Sequence, residues 1–457
     1  MSIPNNVGLQ ADPQLAGALA AFQQRMGAWW DERGPQQHLH ASMYLRHPVG
    51  CHEGGWAEFR FVRPADYQWG LFRTPARDRR IAFGREAGRP VWHKPPQEHA
   101  ASLLRHIVMQ ADAEPGSVEQ SRALAATAPS LYDLRHLYQF LLEEARHLWA
   151  MVHVLLEHFG AEGQSQAEAL VSRCCNDAAN PRLLNAFNEP NEDWLSYFFW
   201  CLLADRDGRF QLDAVASSAF DPLARTAGFM LLEEPLHLAI GVQGIDRVIQ
   251  RTLELMRQHD TEDVHPHGGI PLATLQRYLN RLAPTVFDLF GNDESDRARQ
   301  MHECGLRGLP AADAPEGCVT LDRRAGDHVE SVEVPLVQGI NASMRRSFAA
   351  ELAPLFARWN RCFADAGTAF RLSLPSERFL RRVGPCAGLA YTPAGERLPS
   401  QAGGFDASAW LPTAEECRRV RALMQPVTEP SRCAGWIAPP RLGVNRLPAD
   451  FTYVRLS

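Results

Sequence analysis

Two matched sets of acids and histidines stand out in this chain. One is Glu114 followed by Glu144 and His147 in LLEEARH; the other is Asp205 followed by Glu234 and His237 in LLEEPLH. The carboxylate spacings are nearly equal, 30 residues from 114 to 144 and 29 from 205 to 234. A Glu and a His three positions apart share one helix face. Two such pairs, joined by single carboxylates from two further helices, make the donor set of a helical bundle that holds two iron or manganese ions. Carboxylate and imidazole suit those metals, whereas zinc or copper in this setting more often recruits cysteine. Six donors hold two metals and leave coordination positions open for dioxygen.

The elements between the donors must let them meet. Residues some 30 apart face each other only if the chain reverses midway. Between Glu114 and Glu144 the midpoint is Pro129 in TAPS, where Ser130 and Asp133 stand near capping-box spacing for a new helix. Between Asp205 and Glu234 the midpoint falls in SSAFDP, where Asp221-Pro222 reads as an N-cap followed by proline at the first helical position. Each arm is then about 14 residues, or ~20 Å of helix, and the donors meet at mid-bundle.

Periodicity selects among the acids. Leu137, Leu141, Glu144, Leu148, Met151 and Leu155 form an apolar stripe interrupted by one carboxylate, while Glu143 runs with Arg146, His153 and Glu157 on a polar face. Glu114 interrupts Leu104, Ile107, Ala111 and Val118, and Asp205 ends a stripe of Trp194, Phe198 and Cys201. A lone carboxylate in such a stripe is costly unless it is paired or binds metal. The segment around Glu234 is apolar on all sides, so only the parallel with Glu144 selects Glu234 over Glu233. Asp207 lies close to Asp205, and Gly208 loosens that helix end, which leaves both acids as candidates. One EExxH by itself often marks a surface ion pair; two, with matched upstream acids and well-placed turns, favour metal.

The segments QADAEPGSVEQ, APSLYDLRHLYQ, EEARHLWAMV, ADRDGRFQL and SAFDPLARTAGFML, with GWIAPPRLGVNRLPADFTYVRL at the C-terminus, resemble the oxygenase component of benzoyl-CoA 2,3-epoxidases from aerobic coenzyme A-dependent benzoate degradation. The likeness spans nearly the whole chain and is densest from about Gln110 to Gly241. It implies a mainly α fold: a ferritin-like four-helix bundle with a di-iron site, additional helices, and irregular N- and C-terminal arms. It makes Glu114 and His147 terminal ligands of one iron and Asp205 and His237 ligands of the other, with Glu144 and Glu234 bridging or variable. Gln110, one turn before Glu114, either reaches the substrate side or packs in the bundle. The implied reaction adds one atom of O2 across the 2,3 bond of benzoyl-CoA and reduces the other to water. Its two electrons come from a separate NADPH-dependent reductase with FAD and iron–sulfur groups. This chain has no GxGxxG opening a helix after a strand and no cysteine cluster for an iron–sulfur centre. Pro235 and Leu236 depart from the family, which has a second histidine where Leu236 stands; both put the preferred substrate in question, and a proline inside a helix kinks it. The rival readings are another carboxylate-bridged di-iron protein (an oxygenase on another aryl-CoA, a ferroxidase or a radical-generating subunit) and a metal-free helical scaffold.

Composition narrows the classes. With 457 residues and a net charge of −6, the chain has room for a large core and no electrostatic case for nucleic acid. Ten cysteines are scattered, with only Cys174-Cys175 adjacent and no CxxC, which fits reduced thiols in a cytoplasm. No signal peptide and no membrane span is expected. The expected protein is cytoplasmic, a monomer or weak oligomer. Three units are expected: an N-terminal helix and irregular arm over 1–96, the di-iron bundle over 97–259, and a helical and irregular extension over 260–457. Helices are expected at 12–32, 97–113, 131–159, 163–175, 193–206, 222–258, 271–292 and 338–366, with loop and strand over 305–336. His38, His40, His47 and His52 suggest a second metal site less well than ordinary surface or core histidines. Arg378, Arg381 and Arg382 in SERFLRRVG suit coenzyme A phosphates or a solvated helix face equally. Tyr138 and Tyr197, near the proposed ligands, read as packed aromatics rather than radical stores.

Overall fold

The computed structural model describes residues 12–35, 41–46, 59–63, 78–309, 317–326, 328–399, 406–442 and 454–456. The fold is mainly helical: α1 (Pro13–Arg33), α2 (Gln97–Ala111), α3 (Ala113–Ser121), α4 (Leu131–His158), α5 (Gly160–Ser172), α6 (Trp194–Ala216), α7 (Asp221–Met230), α8 (Glu234–His259), α9 (Leu272–Leu289), α10 (Asp296–Glu303), α11 (Ile340–Asp365) and α12 (Ala414–Leu423). Strands β1 (Ala41–Arg46), β2 (Phe59–Val62) and β5 (Val454–Leu456) form an antiparallel sheet with β1 in the centre, and β3 (Cys318–Ala325) pairs with β4 (His328–Pro335) as a hairpin. No helix among the described residues is long and apolar enough to cross a membrane.

The helix starts follow local chemistry. Ser130 accepts from the Asp133 backbone N–H at 3.2 Å, and Asp193 accepts from Ser196 N–H at 2.7 Å, so α4 and α6 each begin on a side-chain cap worth about 1 kcal/mol. Asp221 differs from expectation. Phe220 is the N-cap, Asp221 is the first helical residue, and its carboxylate takes Arg79 at 3.1 Å and Arg225 at 2.8 Å instead of capping. Gly208 does not end α6; a Cβ there would meet nothing within 4 Å, and the helix runs on to Ala216. The expected 222–258 helix is broken into α7 and α8, and 97–113 is followed by a second segment, α3, after a break at Asp112. Helices α10 and α12 lie where none was expected.

Nearly all of α4 is buried, and one apolar core joins residues from Leu19 to Val454. Within it α6 and α8 are in close contact. A Cβ on Gly241 would lie 2.3 Å from the backbone nitrogen of Leu202, and one on Gly244 would lie 2.2 Å from the Phe198 ring. Only hydrogen at those two positions lets the helices meet, and that approach sets Asp205 of α6 beside the histidine helix. Arg247, midway along α8, ties to Asp133 in the first turn of α4 at 2.6 and 3.0 Å, joining the middle of one helix to the start of the other.

Candidate metal centre

The six predicted donors sit on four helices: Glu114 on α3, Glu144 and His147 in the middle of α4, Asp205 on α6, and Glu234 and His237 in the first turn of α8. Both single-turn starts have a cause. Pro235 has no N–H to continue a helix. The chain before it tightens, with Leu232 bonding back to Phe229 at 3.0 Å and Glu233 to Met230 at 2.9 Å, both spanning three residues. Glu114 likewise follows the break at Asp112. Each carboxylate therefore stands at a fresh helix N-terminus, where the backbone dipole favours negative charge.

Glu114, Glu144 and His147 each offer one donor atom, all within 4.8 Å of one another, and Glu144, Glu234 and His237 do the same. Glu144 belongs to both groups. His147 Nδ1 lies 3.5 Å from Glu114, and His237 Nδ1 lies 3.2 Å from Glu144 and 3.7 Å from Glu234. Both Nδ1 atoms are buried without a hydrogen-bond partner, as is Asp205 Oδ2. Asp205 lies outside the two groups, but it is close enough for His237 and Glu144 to act on it, while burial pushes its carboxyl up to about 7. Asp207 is turned elsewhere, accepting from Gln211 at 3.0 Å. Gln110 is half-buried in the last turn of α2, across the Asp112 break from Glu114.

Burial, then the charge of Glu144, drives the Glu114 carboxyl well above its ordinary range; burial does the same to Glu234, with Glu144 and Asp205 adding to it. Packed carboxylates with this much mutual repulsion are stable either protonated or around a cation. With unpartnered imidazole nitrogens facing the same space, and no cysteine in either group, the donor set fits iron or manganese.

Periodicity misassigned a second ring of residues. Glu143 does not face solvent; it is fully buried, and its Oε2 lies 3.2 Å from Nε2 of His237 on the other helix. Glu233, equally buried, lies 3.1 Å from Nε2 of His147. The first acid of each EE pair thus contacts the histidine of the opposite unit. Arg46, at the end of β1, grips Glu143 with its Nη2 at 2.7 Å, and Gln139 adds a bond at 2.6 Å. Arg146 grips Glu233, with Nε at 3.2 Å. Burial alone would raise Glu143, but Arg46 and His237 outweigh it and hold the carboxyl below the usual range. A charged acid on Nε2 keeps the proton there and leaves Nδ1 free to ligate. The doubled acid in both LLEE runs was the available signal for these residues; nothing in sequence points to Arg46, 97 positions from Glu143.

The remaining candidates separate clearly. Tyr138 donates to the Pro35 carbonyl at 3.0 Å, and Tyr197 is buried edge-on to Phe140 and Trp194, as packed aromatics. Arg378 and Arg381 are not on a solvated helix face: Arg378 is bound to Asp322 in a turn and Arg381 is buried, whereas Arg382 is exposed. His38, His40, His47 and His52 lie outside the described residues.

No protein-family model matches the chain. It is 42% identical over 466 aligned residues to benzoyl-CoA oxygenase component B of Aromatoleum evansii, covering 100% of this chain and 98% of the relative. The chain belongs to the benzoyl-CoA oxygenase component B family. The relative's name describes one component of an oxygenase, and benzoyl-CoA is the compound it names. Within this family the chain carries its acid–histidine groups on α3, α4 and α8, and Pro235 at the start of α8.

Proposed function

We propose that this chain is the oxygenase component of a di-iron benzoyl-CoA 2,3-epoxidase. The observation that carries the reading is the pair of buried carboxylate–histidine groups joined at Glu144, with both Nδ1 atoms unpartnered and facing it. Helices α3, α4, α6 and α8 are then the four helices of a ferritin-like bundle. Glu114 and His147 would hold one iron and Asp205 and His237 the other, with Glu144 and Glu234 as the carboxylates available to both. Two irons bound there would supply the reductive activation of O2 that puts one oxygen atom across the 2,3 bond of the thioester-activated ring and releases the other as water.

The residues do the rest by placement. Glu143 and Glu233 hold the histidine protons on Nε2 and aim Nδ1 inward. Phe140 and Phe229 close edge-on against His237 and His147 and keep bulk water from the imidazoles. The sequence has no GxGxxG opening a helix after a strand and no cysteine cluster for an iron–sulfur centre, and on this reading an NADPH-dependent flavin and iron–sulfur reductase serves as partner. On this reading Gln110, half-buried in the last turn of α2, is the residue assigned to the substrate side, the alternative being a packing amide.

A single turnover tests this. The iron-loaded protein is reduced chemically without oxygen, mixed with benzoyl-CoA, and exposed to 18O-labelled O2. One labelled atom in the thioester product, or in its hydrated dihydrodiol, is expected. Two bound irons with unchanged benzoyl-CoA would redirect the reading to another aryl-CoA; a chain purified empty from iron-replete cells would end it.

A further inference from the structure

A cavity of about 330 Å³ lies apart from every proposed ligand, between the β3–β4 hairpin, the start of α11 and the turn at 376–386. Four guanidiniums line it, from Arg345, Arg346, Arg378 and Arg381, against the carboxylates of Asp293, Asp322 and Glu377. The acids are already engaged. Arg378 takes both oxygens of Asp322 at 2.6 Å, and Arg345 meets Asp293 at 2.8 Å and Glu377 at 2.5 Å. Asp288 accepts Arg381 Nε at 2.6 Å.

What remains unmet on the arginines is donor; the one acceptor of the lining without a hydrogen bond, Asp293 Oδ1, lies 2.8 Å from Arg345 Nη2 as an ion pair. Arg345 and Arg381 are 4% and 5% exposed, and Arg345 Nη1 and Arg381 Nη2 have no hydrogen-bond partner. Leaving a buried charged donor unpaired is expensive. Gly384, at φ +85°, carries the turn past Arg381 without a side chain: a Cβ there would lie 3.9 Å from Nη2. Two buried donors on rigid, ion-paired arginines make a fixed fork for oxyanion oxygens, the geometry in which arginine recognises phosphate. The volume exceeds what one phosphate fills, so the group arrives as part of a larger molecule or with water.

We propose that this cavity binds a phosphate group through Arg345 Nη1 and Arg381 Nη2. The phosphate comes either from free phosphate or from the coenzyme A portion of an acyl-CoA; only the second source rests on the function proposed above.

The test is calorimetric titration of the full chain at low salt in a phosphate-free buffer, with inorganic phosphate, coenzyme A and 3′-dephospho-coenzyme A as separate probes. Saturable binding of at least one is expected, weakened by about tenfold or more in Arg381→Gln. Binding of inorganic phosphate identifies a free-phosphate site. Binding of coenzyme A but not inorganic phosphate identifies the nucleotide end of the thioester, and loss with the dephospho form names the 3′-phosphate. If Arg381→Gln fails to fold, Arg346→Gln, at an exposed position on the same wall, carries the test, with a drop of about threefold expected from the lost charge. No binding of any probe, or binding that ignores these substitutions, overturns the proposal, whatever the single-turnover result.

Discussion

The Nε2 atom of His147 lies 3.1 Å from Glu233, a residue of the other acid–histidine unit. The mirror contact joins His237 to Glu143 at 3.2 Å. The two units are therefore interlocked through their outer atoms as well as through the shared Glu144, and the site responds as one object when either is disturbed.

Replacing Glu144 with Ala should empty the whole centre rather than half of it, because Glu144 belongs to both donor groups. If the proposed di-iron centre forms, iron measured by elemental analysis is expected to fall from about two per chain to below about 0.2. Retention of one tightly held iron would contradict the sharing.

Glu143→Gln and Glu233→Gln keep the shape but give up the charge that Arg46 and Arg146 pair with and that orients each imidazole. Each should weaken metal binding or turnover by about 10–100-fold. On the proposed ligand assignment the effects should also be crossed: Glu233→Gln would perturb the iron assigned to His147, and Glu143→Gln the one assigned to His237. Mössbauer spectra of the two variants would show the difference, and identical spectra would argue for a merely structural role.

Gly241→Ala drives a methyl to within 2.3 Å of the Leu202 backbone, which has no side chain to swing aside. A loss of about 1–3 kcal/mol is expected in denaturant unfolding. Metal content should drop with it, since α8 carries Glu234 and His237. Gly208→Ala, with open space at its Cβ, is the contrasting control and should be neutral or mildly stabilising.

Glu119 supplies a pH dependence away from the metal. Burial opposes its charge, but Arg182 at 2.7 Å, with Trp29 and the Cys175 backbone N–H, outweighs burial and lowers its pKa below the ordinary 4.5. A depressed folded pKa means the unfolded chain takes the proton first. The contribution is therefore complete above the unfolded value and is lost as pH falls through the folded one. Stability of the native chain should drop more steeply below pH 4.5 than that of Glu119→Gln, measured by urea unfolding across that range; parallel curves would remove Glu119 from the account.

Much of this was legible in sequence for definite reasons. Core stripes broken by a single acid foretold the burial of Glu114, Glu144 and Asp205, and Ser130 announced α4, since both signals are local and periodic. Glu143 was misread because a polar stripe looks the same whether it meets water or another buried charge. Only the arrival of Arg46 from a distant strand tells the two apart. The split between α7 and α8 was half visible: Pro235 predicted a kink, but no residue pattern marked the three-residue bonds at Leu232 and Glu233 that end α7. Gly208 failed as a stop signal because its side of α6 is open and tertiary contacts carry the helix past it.

The strand pairing of β1 with β5 has a consequence for the order of assembly. Arg46 is held on Glu143 from the end of β1, and β1 is flanked by β5, whose residues follow all six proposed ligands in the chain. During synthesis β1, β2 and the acid–histidine helices all emerge before β5, so the outer edge of this sheet, at Ala41–Met43, is the part completed last, while Arg46 is already paired with Phe59 of β2. The contact that holds Glu143 behind His237 and the closing of the sheet edge are thus separable events in the life of the molecule.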